Sequence, residues 1–196
     1  MIPGMIDKSG YSNAGKQNTR GTVELAVARA KALHINHVLV ASCSGATAGL
    51  VLEMGKGLET VCVTHHNGFQ NPGENEMDPL VRQNLIQQGV KLLTATHFFA
   101  GADRALRNQF GGVYPAEIMA QTLRIMGQGL KVAVEIAVMA LDAGLIPYGQ
   151  EVVSIGGTVE GADTAIVVLP AHSKNFFKTE VREIICMPRD KRPSAD

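Results

Sequence analysis

The stretch Val38–Glu53, VLVASCSGATAGLVLE, runs a short apolar segment into a knot of small hydroxyl and glycine residues and out again into helical spacing. A continuous apolar run, unlike an alternating one, marks a strand covered on both faces, as in a parallel sheet between helices. The same signature recurs at HVLVA (37–41), ETVCVT (59–64), VKLLTAT (90–96), EVVSI (151–155), TAIVVL (164–169) and EIICM (183–187). Helical spacing fills much of the sequence between them. Val23, Ala26, Val27, Ala30 and Leu33 share one face after a cap at Asn18 or Thr19. Further helices are expected after Gly45, over roughly 78–88, from Ala116, and over Leu130–Ala143, where Gly144 and Pro147 supply a stop. Strands alternating with helices imply a three-layer α/β/α domain around a mostly parallel sheet.

The last of those helices is apolar almost all round, with Lys131, Glu135 and Asp142 on one stripe, and is expected to lie between the sheet and another element. A membrane-spanning helix would have to carry those three charges into hydrocarbon, so no span is expected. The 196 residues, 45% of them hydrophobic, suffice for one well-filled core, and a single domain over 1–196 is expected, with frayed ends at about 1–10 and 190–196. Eighteen basic residues balance 18 acidic ones, so no global field favours nucleic acid or an anionic membrane, whereas a homo-oligomer is compatible with zero net charge. Three cysteines, an odd count, two of them in apolar runs, together with no signal-peptide pattern point to a reducing cytoplasm.

In an open parallel sheet the ligand crevice lies beyond the carboxyl ends of the strands. The residues there are SCSGAT (42–47), HHNGF (65–69), HFFAG (97–101), GGTVEGAD (156–163) and PAHSKNFF (170–177). Ser42, Cys43, Ser44, Gly45, Ala46 and Thr47 sit where a strand turns into a helix whose first N–H groups lack partners and carry partial positive charge. That turn reads either as a cradle for a phosphate, with the serine and threonine hydroxyls as added donors, or as a plain turn with a serine cap. No lysine follows the glycine as a Walker loop requires, and neither a dinucleotide fingerprint nor a hydrolase elbow is present.

Gly156, Gly157 and Thr158 form a second turn where the main chain can approach a ligand closely. His65 or His66, His97 and His172 follow three different strands and are expected to line one crevice. No Glu or Cys stands at ligand spacing beside them, so polar lining is expected there and no metal. Phe69, Phe98, Phe99, Phe176 and Phe177 also follow strands and are read either as an apolar wall for a planar ring or as a seal on the core. Lys174 pairs with phosphate or is solvated, and Glu135 pairs with Lys131 or turns toward the crevice.

Five stretches, NTRGTVELAVARAKAL (18–33), VLVASCSGATAGL (38–50), QGLKVAVEIAVMALDAGLIP (128–147), SIGGTVEGADTAIVVLPAHSKNFF (154–177) and VREIICMPR (181–189), together resemble a small family of stand-alone prokaryotic proteins. That family has the fold of the pyruvate kinase C-terminal domain, and the likeness runs from about Gly15 to Arg189. It implies binding of flavin mononucleotide by a redox or sensing module, with the phosphate on Ser42–Thr47 and near Asn18 and Thr19. It further implies His65 and His97 beside the ring system, with Gly156, Gly157 and Thr158 opposite. In pyruvate kinase a similar turn belongs to an effector-binding domain, which implies instead a non-catalytic regulatory or assembly domain for a sugar phosphate. The kinase's catalytic barrel needs roughly 250 residues, more than this chain contains, so kinase activity is not expected. Where the family opens with a strand leading into a proline-containing turn, this sequence has GYSNAGKQNT (10–19), which lacks the proline.

Overall fold

The computed structural model describes residues 10–193. In chain order the elements are β1 (Asn13–Ala14), α1 (Thr19–Ala32), β2 (His37–Ala41), α2 (Ala46–Met54), β3 (Glu59–Thr64), α3 (Pro79–Gln87) and β4 (Lys91–Thr94). They continue with α4 (Gly101–Phe110), α5 (Pro115–Arg124), α6 (Gln128–Asp142), β5 (Val152–Gly156), β6 (Thr164–Leu169), β7 (Glu180–Cys186) and β8 (Asp190–Pro193). Short 3-10 turns cover Lys16–Asn18 and Ser173–Lys178.

One six-stranded sheet has the order β4-β3-β2-β5-β6-β7. The pairs β2/β3, β3/β4 and β2/β5 are parallel, whereas β5/β6 and β6/β7 are antiparallel. Residues 157–163 explain the reversal, because a parallel return needs a crossover of about a dozen residues or more and this connection is shorter. Strand β6 therefore runs against its neighbours, and the segment after it, 170–177, emerges at the opposite edge from the ends of β2 to β5.

Successive strand residues point to opposite faces, and here both faces are buried. Val38 and Val40 pack with Val23, Ala26, Val27, Ala30 and Val51 of α1 and α2. Leu39 between them packs with Ala133, Val134, Ala137 and Ala140 of α6 on the other face. Helix α6 also contacts α5, so its nearly all-round apolar surface is enclosed by the sheet on one side and a helix on the other. This is the three-layer architecture that the uninterrupted apolar runs imply. Among the described residues no helix is long and apolar enough to cross a membrane.

At the ends, Asp190–Pro193 of the tail expected to fray form β8, which pairs in parallel with the two-residue β1. Residues 1–9 and 194–196 lie outside the described residues. Helix α4 was not anticipated from the sequence. It buries none of its residues, and Phe110, Val113, Ile118 and Ile125 on and around α4 and α5 are exposed.

Candidate functional site

Three loops meet at the carboxyl edge of the parallel strands. The first leaves β2. The Ser42 N–H still donates to Val63 O (3.1 Å), extending the ladder one residue beyond the strand, and then Gly45 turns the chain with φ +85° and ψ −10°. That left-handed conformation is one glycine adopts without a Cβ penalty. Helix α2 begins immediately, and its first turn closes with Gly49 N–H donating to Gly45 O (2.9 Å). The Ala46 N–H makes a long bond to Ser44 Oγ (3.4 Å), while those of Thr47 and Ala48 have no acceptor among the described residues. The start of α2 thus keeps free donors with the positive end of the helix dipole behind them.

The second loop follows β3. His65 Nδ1 meets Glu76 Oε2 at 2.6 Å, Gln70 Nε2 donates to Glu76 Oε1 (2.9 Å), and the Phe69 ring stacks on the imidazole at 3.7 Å with an interplanar angle of 19°. Cys43 faces this cluster. Burial pushes its thiol up to about 11; the His65 main-chain N–H pulls the other way, and the Glu76 charge adds to the rise. The thiol therefore stays protonated at neutral pH, the reverse of what an attacking cysteine needs. His97, from the loop after β4, lies 5.3 Å from the His65 ring, centroid to centroid, and contacts Thr64 O. Burial lowers its pKa and outweighs the opposing Glu135 charge and the Thr64 bond, which favours the neutral imidazole.

The third loop joins β5 to β6. A Cβ on Gly156 would collide with the main chain of α6 at Gly129, and one on Gly157 with the Gly161 carbonyl, so these two glycines let helix and loop close up. Thr158 is buried, with no hydrogen-bond partner for its hydroxyl among the described residues. Val159 is almost fully exposed and holds φ +61°, which is rare and costly for a β-branched residue. The loop is fixed from behind by Ala162 N–H donating to Thr19 Oγ1 (3.0 Å) and Gly15 N–H donating to the buried Asp163 carboxylate (3.1 Å).

Between the three loops lies a crevice of about 710 Å³, within the range of small-ligand sites. Of the residues expected from the sequence, Ser42, Cys43, Ser44, Thr47, His65 and Gly157 line it together. Gly45 and Ala46 instead border a separate cavity of about 530 Å³ between α2 and α3. His97 stands behind His65. Thr19 engages its hydroxyl with Lys16 O and the Ala162 N–H and so holds the third loop in place, while Asn18 donates to Asn13 O of β1. Residues that sequence reasoning did not single out also line the crevice: Gln70, Glu76, Gln128, Val132, Val159 and Glu160. Among the described residues, Glu76 and Glu160 are its carboxylates, with Glu160 paired to Lys16 (3.3 Å), and no Lys or Arg lines it.

One expectation is corrected by the reversal of β6. His172 lies at the far edge, bonded to Asp142 at the end of α6 (2.8 Å) and stacked on Tyr148. The phenylalanines divide. Phe69 reaches the crevice, while Phe98, Phe99 and Phe176 pack together near α6 with Phe177 beside them. Lys174 belongs to the same far-edge segment. Glu135 pairs with Lys131 inside the core and accepts the Phe99 N–H (2.8 Å). Conversely, the cysteine and glutamate that the spacing lacked beside the histidines are supplied by folding. Ligand atoms of Cys43, His65 and Glu76 all lie within 4.8 Å of one another.

Residues 21–168 match the family model described as the pyruvate kinase alpha/beta domain. The chain belongs to that family. All the crevice-lining residues fall within the matched span. Among solved structures, it is similar to pyruvate kinase of Cryptosporidium parvum, at 13% identity over 76% of this chain and 22% of that one, with a TM-score of 0.38. A second structure of a pyruvate kinase from that organism gives 15% identity, 71% and 20% coverage and a TM-score of 0.38. The C. parvum enzyme in complex with ADP gives 14%, 85% and 24%, and 0.39. These likenesses are too low to add to the family assignment, and this chain spans only 20–24% of those proteins' length. The described residues form an open sheet with no closed barrel among them.

Proposed function

We propose that the crevice binds a small phosphorylated ligand carrying a planar ring, with flavin mononucleotide the first compound to test. The observation that carries this reading is the placement, on one crevice, of Thr47, whose N–H is free at the start of α2, and of the stacked pair His65 and Phe69. A phosphate takes the Thr47 N–H with the hydroxyls of Ser42, Ser44 and Thr47, and a ring stacks against the aromatic pair. The donors are neutral, so recognition rests on oriented N–H groups and hydroxyls. The crevice addresses a ligand class, and the raised pKa of the Cys43 thiol disfavours a thiolate there.

Titration of stripped protein with flavin mononucleotide and with riboflavin separates the two halves of the ligand. Loss of two or more charge-assisted hydrogen bonds should weaken riboflavin at least about 100-fold. Equal affinity for the two compounds overturns the phosphate assignment. The family assignment favours a second reading, a non-catalytic regulatory domain that takes a sugar phosphate at the same N–H groups. Under it, a sugar bisphosphate displaces bound flavin mononucleotide whereas riboflavin at the same concentration does not.

A further inference from the structure

We infer that Cys43, His65 and Glu76 form a binding site for a divalent transition-metal cation of the zinc class. The three come from separate places in the sequence and present a sulfur, an imidazole nitrogen and a carboxylate oxygen within 4.8 Å of one another. Around a tetrahedral zinc, ligand atoms stand roughly 3.3–3.7 Å apart, given bond lengths of about 2.0–2.3 Å. Small side-chain rotations therefore bring the three atoms onto one ion. Thiolate and imidazole select zinc-like ions over magnesium or calcium, which prefer all-oxygen sites.

The surroundings are those of a supported site. Glu76 is already oriented by Gln70, whose Nε2 donates to Oε1 and leaves Oε2 for His65 or a metal. Phe69 stacks on the imidazole and limits its rotation. Such outer contacts orient ligands and are worth about 10–100-fold in metal affinity elsewhere. Binding replaces the hydrogen bond between His65 and Glu76 with two metal bonds, the proton of that bond passing to the other ring nitrogen or to solvent, and releases the Cys43 proton to solvent, so that thiolate and carboxylate neutralise the dication. All three residues line the crevice, and three protein ligands leave a fourth position open to it. With no Lys or Arg on the lining among the described residues, this cation adds positive charge beside Glu76 and Glu160.

The site stands on its own residues and does not rest on nucleotide binding. Its test uses metal alone, on protein without a histidine tag. Co2+ added to the purified chain is expected to give a near-ultraviolet thiolate-to-metal band and the intense visible bands of four-coordinate cobalt, both displaced by Zn2+. Cys43→Ala should abolish the thiolate band, and His65→Ala and Glu76→Gln should each weaken binding by at least about tenfold. Cys62 and Cys186, both buried, remain in every variant as internal controls. A weak six-coordinate spectrum without a thiolate band overturns the site, and so does a band that survives Cys43→Ala. The spectrum of the unaltered chain decides the matter even if a variant fails to fold.

Discussion

Replacing Gly45 by alanine tests the turn that launches α2, and replacing Gly49 tests the helix itself. At Gly45, φ +85° puts an alanine in the left-handed region, at a cost of about 1–2 kcal/mol. The new Cβ would also stand 2.7 Å from Val81 Cγ1 and 3.0 Å from Leu85 Cδ1 on α3. Val81 is stiff at χ1 and Leu85 is packed in the core, so overpacking adds about 1–3 kcal/mol, of which the total takes the lower part. Together Gly45→Ala should lose about 2–4 kcal/mol. Four residues on, Gly49 has nothing within 4 Å of an added Cβ and lies in the helix interior, so Gly49→Ala should gain about 0.5–1 kcal/mol. Urea unfolding reads both. With a slope of about 2 kcal/mol per molar, the Gly45→Ala midpoint falls by about 1–2 M while the Gly49→Ala midpoint rises by a few tenths. Midpoints that move in the same direction, or a Gly45→Ala shift below about 0.3 M, would refute the left-handed turn and with it the aim of the α2 N–H groups.

The buried ion pair makes a second case. Lys131→Met leaves the Glu135 carboxylate inside the core with only the Phe99 N–H, and should cost about 3–5 kcal/mol. Adding Glu135→Gln removes the stranded charge while keeping an acceptor for Phe99, and a double-mutant cycle in urea should show most of that loss recovered; additive losses would contradict it. At the far edge, burial pushes the Asp142 carboxyl up, but hydrogen bonds from Ser173 and His172 outweigh it and hold the group below its usual value. Its stabilising contribution is therefore complete above pH ~4 and is lost as pH falls through the folded value. Asp142→Asn should flatten the acid limb of stability against pH below ~4, and an unchanged limb would exclude this carboxylate as a contributor.

The strands were legible because burial on both faces leaves an unbroken apolar run, as HVLVA (37–41) and TAIVVL (164–169) show to the residue. Strand direction was not. TAIVVL reads the same whether β6 runs with its neighbours or against them, and only the length of 157–163 decides. That one reversal removed His172, Lys174, Phe176 and Phe177 from the crevice. The turn Ser42–Thr47 was legible from local chemistry, since a strand entering a helix through small residues leaves free N–H groups wherever it occurs. Glu76 was not, because its place beside His65 depends on how the loop 65–78 folds back, and no spacing rule encodes that. Asn18 and Thr19 were assigned to the phosphate by resemblance alone, and their side chains bond to Asn13, Lys16 and Ala162, which no spacing rule encodes. Helix α4 carries Ala102, Ala105, Leu106 and Phe110 at helical spacing, a stripe the sequence reading passed over, and that stripe meets no core, since none of the helix's residues is buried.

The central claim is that the first N–H groups of α2 seat a negatively charged group. Amide NMR on isotopically labelled protein, titrated with flavin mononucleotide, tests it at the atoms concerned. The account predicts saturable shifts at the Thr47 and Ala48 amides, with smaller ones along 157–161 and at His65, while residues 170–177 at the far edge stay still. Shifts confined elsewhere, or Thr47 and Ala48 signals unmoved at saturating ligand, would contradict it.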